Sequence, residues 1–385
     1  MTRSRRTLPS LQGTATLGGL TAGQLLRLCH VAGLEPADAE TYAGVLLKTL
    51  GQAAERPLDL PPPSATFLSD DHTPVEYSLS FQPDGAPALR VLLDPGSTAE
   101  GLRRSGRTGL RVIRRMARRW NFTTDRLDEL EDLFFPAAPQ GPLALWCALE
   151  LVPGGVPRVK VYLNPAANGP ERSAETVREA LRRLGHDTAF AALPPADGYP
   201  FFALDLGDWD TPRVKVYVRH DNLSAKEASG LSRMDGGPDP AEIEAFFRTA
   251  SGLHPEAFGA YGDPEARLAG RPALTCHAVT GTETGRPSGF TLHIPVREYA
   301  RHDGEALARA TTLLDSYGMD TAPLWRALAA VTSRRPEDGV GLIAYLALAH
   351  QEGRPPRVTA YISAEAYHVR PPVALRQAAV AAAVR

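Results

Sequence analysis

Six consecutive residues, P-R-V-K-V-Y, occur twice in the chain, at 157–162 and at 212–217. In an extended strand successive side chains point to opposite faces, so the lysine and tyrosine of each copy share one face and the valines share the other. One face of each strand is therefore apolar, and the other is cationic and aromatic. Lysine and arginine can bind an anionic group, and tyrosine rings can lie against a cation. The same pair of residue types in two places favours a ligand site over a solvated sheet face.

The segments around these two copies belong to a longer repeat. Pairs of strand-like runs recur five times, and the second run of a pair often follows a proline or glycine turn. Each pair has the alternation that is typical of a β-hairpin. The five predicted hairpins are residues 75–95, 143–165, 199–221, 273–296 and 340–363.

Helices are predicted between the hairpins. Residues 171–185, 239–252 and 303–318 have apolar side chains at three- and four-residue spacing, and two more helical segments precede the first hairpin. Five consecutive hairpins supply ten antiparallel strands, a number at which a twisted sheet tends to close into a barrel. Because no break in the pattern separates two units, we expect residues 1–385 to form a single domain.

The apolar faces of the strands must be covered by the helices, because an apolar face is stable only when it is buried against another element. The lysines and tyrosines then point into the barrel. The sequence thus predicts a polar lumen of ligand size and a hydrophobic core between sheet and helices. This inverted arrangement is the main physical indication of function.

Bulk composition excludes several classes of protein. Hydrophobic residues make up 43% and charged residues 22% of the chain, as in globular proteins, and no apolar run reaches the roughly 20 residues that span a bilayer. A net charge of −2 offers no global electrostatic reason to bind nucleic acid or acidic lipid. The basic first residues lead into no apolar segment, so we expect a cytoplasmic protein. We expect it to be a monomer or a homodimer.

Cys29, Cys147 and Cys276 are far apart in the sequence, which predicts buried free thiols rather than disulfides or a zinc site.

The five-fold repeat of hairpin and helices, with R-x-K-x-Y in its second strands, resembles the dimethylallyltryptophan synthase family of aromatic prenyltransferases, in its actinobacterial form. The resemblance covers nearly the whole chain. It implies an α/β (α+β) fold, the αββα prenyltransferase barrel of ten antiparallel strands surrounded by helices. It also implies transfer of a dimethylallyl group from dimethylallyl diphosphate to tryptophan, at C6 of the six-membered ring. The alternative acceptors are a phenol, tyrosine or a tryptophan-containing cyclic dipeptide.

Aligning the hairpins on the turn after their second strand defines two sets of equivalent positions, each expected to form a ring inside the barrel. The first set is Arg90, Lys160, Lys215, Thr291 and Thr359. The second set, two residues further along, is Leu92, Tyr162, Tyr217, His293 and Tyr361. The resemblance implies that the isoprenyl diphosphate is bound, and the allylic cation shielded, by Arg90, Lys160, Tyr162, Arg213, Lys215, Tyr217, His293 and Tyr361. Cations can neutralise a leaving diphosphate, and aromatic rings can keep water from a carbocation.

Three further residues are expected to contact the aromatic substrate. The resemblance implies that Glu76 is the catalytic carboxylate that accepts the indole N–H hydrogen bond, since electrophilic attack develops positive charge on the ring nitrogen. Leu68 lies where the family holds the amino-acid part of the substrate through backbone groups. Trp146 or Ala148 stands in the strand where family members can carry a lysine that removes the final proton. The final base is then Glu76, the diphosphate or water.

A rival hypothesis is a non-catalytic, nucleic-acid-binding repeat protein that uses the arginine-rich segment 103–120. The apolar residues of this segment fall at helical spacing, which favours an outer barrel helix with a solvated face. The enzyme hypothesis places the functional cations inside strands at one height of the barrel, whereas the nucleic-acid-binding hypothesis places them along an exposed helix.

Asp70 and Asp71 lack the D-D-x-x-D pattern of magnesium-dependent prenyl synthases, so we expect them in a turn. We also expect catalysis that requires no metal, although magnesium could stimulate it.

Overall fold

The computed structural model describes residues 15–207, 213–253, 266–281 and 285–373 of the 385-residue chain. The β-strands of these residues are β1 (Val75–Phe81), β2 (Ala88–Leu93), β3 (Leu145–Leu151), β4 (Arg158–Leu163), β5 (Gly198–Leu206), β6 (Val214–His220), β7 (Leu223–Ser224), β8 (Arg267–Leu268), β9 (Ala273–Val279), β10 (Gly289–Ile294), β11 (Ile343–Gln351) and β12 (Arg354–Ser363). Strands β7 and β8 pair with each other in a small separate sheet.

The other ten strands form one closed antiparallel barrel. Their order around the barrel is β1, β12, β11, β10, β9, β6, β5, β4, β3 and β2, so the two strands of each predicted hairpin are neighbours. Pairing of β1 with β12, with Glu76 opposite Ser363 and Phe81 opposite Val358, closes the barrel. Closure leaves these ten strands without an unpaired edge. The predicted αββα barrel of ten strands from five hairpins is therefore confirmed.

Successive hairpins are displaced by two residues relative to one another. Lys160 of β4 pairs with Asp205 of β5, and the backbone N–H of Asp205 donates to the carbonyl of Arg213, two residues before Lys215. The same displacement recurs from β6 through β9 to β10, and from β10 through β11 to β12. A barrel of tilted strands needs such a stagger in order to close. Positions that are equivalent in the repeat are thereby brought to a similar height inside the barrel.

The helices lie outside the barrel. Those of the described residues are α1 (Leu17–Val31), α2 (Pro36–Leu50), α3 (Gly101–Trp120), α4 (Asp125–Asp128), α5 (Glu131–Phe134), α6 (Ser173–Arg183), α7 (Ala225–Ser229), α8 (Pro240–Ser251), α9 (Val296–Tyr299), α10 (Asp303–Ser316) and α11 (Ala322–Val331). Local sequence explains several of their starts: Thr16 and Asp239 cap α1 and α8 with their side chains, and Ser224 with Glu227 forms a capping box at α7. The helices predicted within 171–185, 239–252 and 303–318 are confirmed. None of the helices in these described ranges is both long and apolar enough to cross a membrane.

The hydrophobic core is the layer between sheet and helices. Val159, Val161, Val214 and Val216 are at most 3% exposed and belong to one cluster that also contains the buried faces of the outer helices. The predicted inversion, with the valines outward and the lysines inward, is confirmed. Phe202 of β5 is fully buried in this layer, with its ring centroid 5.5 Å from that of Phe134 on α5. That the whole chain, 1–385, forms one domain stays a prediction, because it includes segments outside the described residues.

Helix α3 contains the whole arginine-rich segment 103–120. Its buried side faces the barrel through Leu110, Ile113 and Met116, and its C-terminus is closed by Asn121 in the left-handed conformation. The exposed arginines on the other side of the helix are Arg103, Arg104, Arg107, Arg111, Arg115, Arg118 and Arg119. The segment is therefore an outer barrel helix with a solvated face, as predicted from its spacing.

Candidate active site

The barrel lumen is a cavity of about 510 Å³. Every residue that the sequence assigned to the diphosphate or to cation shielding borders it: Arg90, Lys160, Tyr162, Arg213, Lys215, Tyr217, His293 and Tyr361. Glu76, Leu92, Thr291 and Thr359 also border it. Both predicted rings of equivalent positions therefore face one shared cavity.

Cations are concentrated at one end of this cavity, and two carboxylates lie among them. The Glu150 carboxylate is 2.8 Å from the guanidinium nitrogens of both Arg90 and Arg158. Asp205 lies 3.2 Å from the Lys160 ammonium and 2.6 Å from the Arg213 guanidinium. Each carboxylate thus joins cations from two successive hairpins.

The charges at this end keep both carboxylates ionised. Burial alone would raise the pKa of Glu150, but Arg90, together with Arg158 and Lys160, outweighs it and lowers that pKa to about 2. Burial likewise opposes ionisation of Asp205, and Lys160 and Arg213 together lower its pKa to about 2. Both groups are therefore anions at any pH near neutrality.

The three other lumenal cations form no ion pair with a carboxylate of the described residues: Lys215, Arg354 and Arg357. Burial, followed by repulsion from Lys160, lowers the pKa of Lys215 to about 7. Burial and repulsion from Arg90 lower the pKa of Arg357 to about 10. Cations without a carboxylate partner, gathered in one cavity, strongly attract a multiply charged anion. The cationic end of the cavity is thus suited to a diphosphate.

A belt of aromatic rings crosses the middle of the lumen. Ring centroids are 5.7 Å apart for Tyr162 and Tyr217, 5.7 Å for Tyr217 and His293, and 5.8 Å for His293 and Tyr361. The hydroxyls of Tyr162 and Tyr217 are 3.3 Å apart, and His293 Nε2 is 3.2 Å from the Tyr361 hydroxyl. Burial lowers the pKa of His293 to about 3, so its ring is neutral. These four residues can present ring faces to a carbocation without adding charge of their own.

Glu76 lies at the opposite end from the cations. On the barrel wall it pairs with Leu92 of β2, beyond the position where Ser78 pairs with Arg90. Burial raises the pKa of Glu76 to about 8; nearby Arg297 opposes the rise and Asp70 adds to it. Arg297 itself is engaged by Asp70 at 3.2 Å. The carboxyl group of Glu76 is therefore poised to change its protonation state close to neutral pH.

Leu68 and Trp146 do not border the cavity, although Trp146 pairs with Tyr162 and therefore shares the lumenal face of the sheet. Together with Leu143 they form a small apolar cluster, against which Leu92, Tyr162 and Phe201 pack. Their contact with the aromatic substrate stays a prediction. Ala148, which does border the cavity, stands opposite Lys160 and confirms that this part of β3 presents no lysine to the lumen.

Asp70 and Asp71 lie in a turn, as expected, and are used to hold it. Arg271, Arg297 and Arg370 all approach the Asp70 carboxylate within 3.2 Å. The Asp71 carboxylate accepts hydrogen bonds from the hydroxyls of Ser69 and Thr73. The turn belongs to the Glu76 end of the barrel.

Sequence reasoning missed the two carboxylates of the cationic end and gave Arg357 no clear role. A signal was present: an acidic residue precedes the arginine of P-R-V-K-V-Y by eight residues in both copies, as Glu150 with Arg158 and Asp205 with Arg213. Arg357 occupies the same repeat position as these arginines, but Ala349 replaces the acid.

A closed barrel whose lumen combines a cationic end, an aromatic belt and a carboxylate defines an aromatic prenyltransferase barrel. The family model described as tryptophan dimethylallyltransferase matches residues 37–324. The chain belongs to the tryptophan dimethylallyltransferase family and is a prenyltransferase.

Solved structures support this assignment. The apo prenyltransferase PriB is 63% identical, with a TM-score of 0.90, over 93% of this chain and 99% of that one. The 5-dimethylallyl tryptophan synthase of Streptomyces coelicolor, in complex with DMASPP and Trp, is 65% identical with a TM-score of 0.88, over 94% and 98% of the two chains. The 6-dimethylallyltryptophan synthase of Micromonospora olivasterospora, with the same ligands, is 38% identical with a TM-score of 0.83, over 93% and 100%.

The unpaired state of Lys215 predicts pH-dependent anion binding. Below pH 7 Lys215 is charged, and as the pH rises through about 7 it loses its proton unless an anion is bound. Lys215→Met should weaken binding of inorganic diphosphate by on the order of tenfold at pH 6, and by less as the pH rises. Isothermal titration calorimetry measures both affinities, and their ratio at each pH cancels the titration of the ligand. Lys226→Met, on outer helix α7, is the control; a ratio that does not change with pH would contradict the role of Lys215.

Proposed function

We propose that this enzyme transfers the dimethylallyl group of dimethylallyl diphosphate to the six-membered ring of tryptophan by Friedel–Crafts alkylation. The observation that carries the proposal is the arrangement of one cavity: cations at one end, Glu76 at the other and neutral aromatic rings between them. A donor with its diphosphate among the cations would direct its prenyl group along the aromatic belt. An indole with its N–H on Glu76 would then face the allylic carbon.

The first step is cleavage of the donor. The bond between the allylic carbon and the bridging oxygen breaks, and both electrons go to the diphosphate. Arg90, Lys160, Arg213 and Lys215 stabilise the growing negative charge by charge-assisted hydrogen bonds. Tyr162, Tyr217, His293 and Tyr361 shield the cation from water and offer it their ring faces.

The second step is attack by the arene. A ring carbon of indole donates an electron pair to the allylic cation, and positive charge spreads to the indole nitrogen. The Glu76 carboxylate, as acceptor of the N–H hydrogen bond, stabilises that charge more in the transition state than in the ground state. The proton on the substituted carbon then leaves and aromaticity returns. With Ala148 on this part of the wall, the candidate bases are Glu76, the departed diphosphate and water.

The names of the solved relatives support the donor and the acceptor. PriB is described in a ternary complex with L-tryptophan and dimethylallyl thiolodiphosphate, at 64% identity to this chain. The Streptomyces coelicolor and Micromonospora olivasterospora enzymes are described with DMASPP and Trp. Together with the cavity these complexes favour tryptophan over a phenol, tyrosine or a cyclic dipeptide.

Two positions on the six-membered ring are candidates. The sequence predicted C6, the position named for the relative at 38% identity. C5 is the second candidate, because the relative at 65% identity is named a 5-dimethylallyl tryptophan synthase. Both carbons belong to the same half of the indole, so the choice depends on how the ring is rotated about its hydrogen bond to Glu76.

Product analysis tests the proposed function. Purified enzyme with dimethylallyl diphosphate should add one prenyl unit to tryptophan, and mass spectrometry should find little product with tyrosine or a tryptophan-containing cyclic dipeptide. Two-dimensional NMR of the purified product locates the new carbon–carbon bond, expected at C6. A C5 product would correct the position alone, whereas prenylation of tyrosine in preference to tryptophan would refute the proposed acceptor.

Glu76→Gln should lower turnover by on the order of a hundredfold, because a neutral amide no longer stabilises the indole cation. In the wild type, kcat/KM for tryptophan should rise as the pH increases through about 8, since Glu76 must first lose its proton. The variant should lack this rise and keep the donor affinity of the wild type. Turnover equal to that of the wild type would exclude Glu76 as the catalytic carboxylate.

Catalysis should proceed without a divalent metal. The cations of the lumen can supply the positive charge that Mg²⁺ supplies in other prenyl transfer enzymes. Turnover is to be measured in excess EDTA and again with added Mg²⁺, and the two rates should differ by only a few-fold. Activity that EDTA abolishes and Mg²⁺ restores would show that the protein cations are insufficient.

A further inference from the structure

Two ionised carboxylates in a pocket built for an anion require an explanation. We propose that Asp205 and Glu150 are positioning residues for the donor, which hold the cations of the empty lumen in the geometry that the diphosphate needs. This inference rests on the proposed function, because it takes a diphosphate as the occupant of the cationic end.

The two carboxylates occupy equivalent places in the repeat. Asp205 is in the first strand of hairpin three, 11% exposed at its side chain, and bridges Lys160 of β4 to Arg213, the residue just before β6. Glu150 is in the first strand of hairpin two, 22% exposed, and bridges Arg90 to Arg158. Two separate hairpins thus use the same device: an acid that connects a cation of its own hairpin with one of the preceding hairpin.

Repulsion is the reason that such a device is needed. The described residues that line the cavity include seven cations, Arg90, Arg158, Lys160, Arg213, Lys215, Arg354 and Arg357. Long cationic side chains that repel one another in an empty lumen would extend toward the solvent at its mouth, because a charged head is most stable in water. A carboxylate between two of them replaces that water and fixes their direction. Each carboxylate remains ionised at working pH, so the restraint is permanent.

The number of carboxylates leaves the site strongly positive. At the cationic end, Glu150 and Asp205 hold part of the ring in place, while most of the charge of its seven cations stays available to the ligand. Hairpin five shows the alternative, because Ala349 stands opposite Arg357, where the other two hairpins have an acid. The carboxylates therefore supply geometry, and the unpaired cations supply affinity.

Removing a carboxylate charge has two opposing effects, and they separate this proposal from a purely electrostatic one. An additional net positive charge would tighten diphosphate binding. Loss of the restraint on Lys160 and Arg213 would weaken it, because these side chains must then be ordered when the ligand binds. A positioning role predicts that the second effect prevails.

The experiment measures binding of inorganic diphosphate to Asp205→Asn and Glu150→Gln by isothermal titration calorimetry. Both variants should bind on the order of tenfold more weakly than the wild type, and Asp205→Glu should recover part of the loss. KM for dimethylallyl diphosphate should rise by a similar factor while KM for tryptophan stays unchanged, a separation that a general structural defect would not produce. Glu179→Gln is the matched control, since Glu179 is ion-paired with Arg182 and Arg183 on outer helix α6.

Equal or tighter diphosphate binding by both variants would overturn the proposal. Thermal melting identifies a variant that fails to fold. The proposal is then tested by the variant of the carboxylate in the other hairpin. Failure of the proposed function can be distinguished from failure of the positioning role, because diphosphate binding requires no aromatic acceptor. A wild type that binds diphosphate but makes no prenylated tryptophan would refute the function and leave the positioning role intact.

Discussion

The alternation of side chains along ten strands of a closed barrel is the constraint on which the rest of this structure depends. One face of every strand must be apolar, because helices cover it, and the other is then enclosed whether or not it is polar. Val161 and Tyr162 show the result in adjacent residues: one lies in the core and the other borders the lumen. A hydrophobic core outside the sheet frees the inside to hold a substrate.

Charge divides the enclosed space. Burying several cations together is costly, and the structure reduces that cost with two ionised carboxylates, Glu150 and Asp205. The remaining positive charge is compensated only when an anion enters, so binding and stabilisation of the lumen are linked. Glu76 lies at the far end, where burial favours its protonated form. Neutral aromatic rings separate the two ends and provide a low-charge region in which a carbocation can exist.

The reaction that this division supports needs little covalent participation by the protein. In the proposed reaction the donor ionises where cations stabilise the leaving group, and the indole is held where a carboxylate stabilises its nitrogen, so positioning and electrostatics supply the catalysis. The site of attachment on the indole then depends on the shape of the wall near Glu76, to which Leu92 and Ala148 contribute. Small changes there can rotate the acceptor without altering the chemistry at the diphosphate.

The sequence by itself determined the barrel, the direction in which each strand faces and most of the lumenal residues, because alternation, turns and repeat spacing are local properties. Lys160 and Tyr217 could be placed in the cavity from their neighbours alone. Only the tertiary structure decided which charges meet. Asp205 contacts both Lys160 and Arg213 because three segments lie side by side. The protonation of Glu76 depends on its burial and on Arg297, more than two hundred residues away in the chain. Coulomb energies and desolvation depend on distance in space, which spacing along the chain does not reveal.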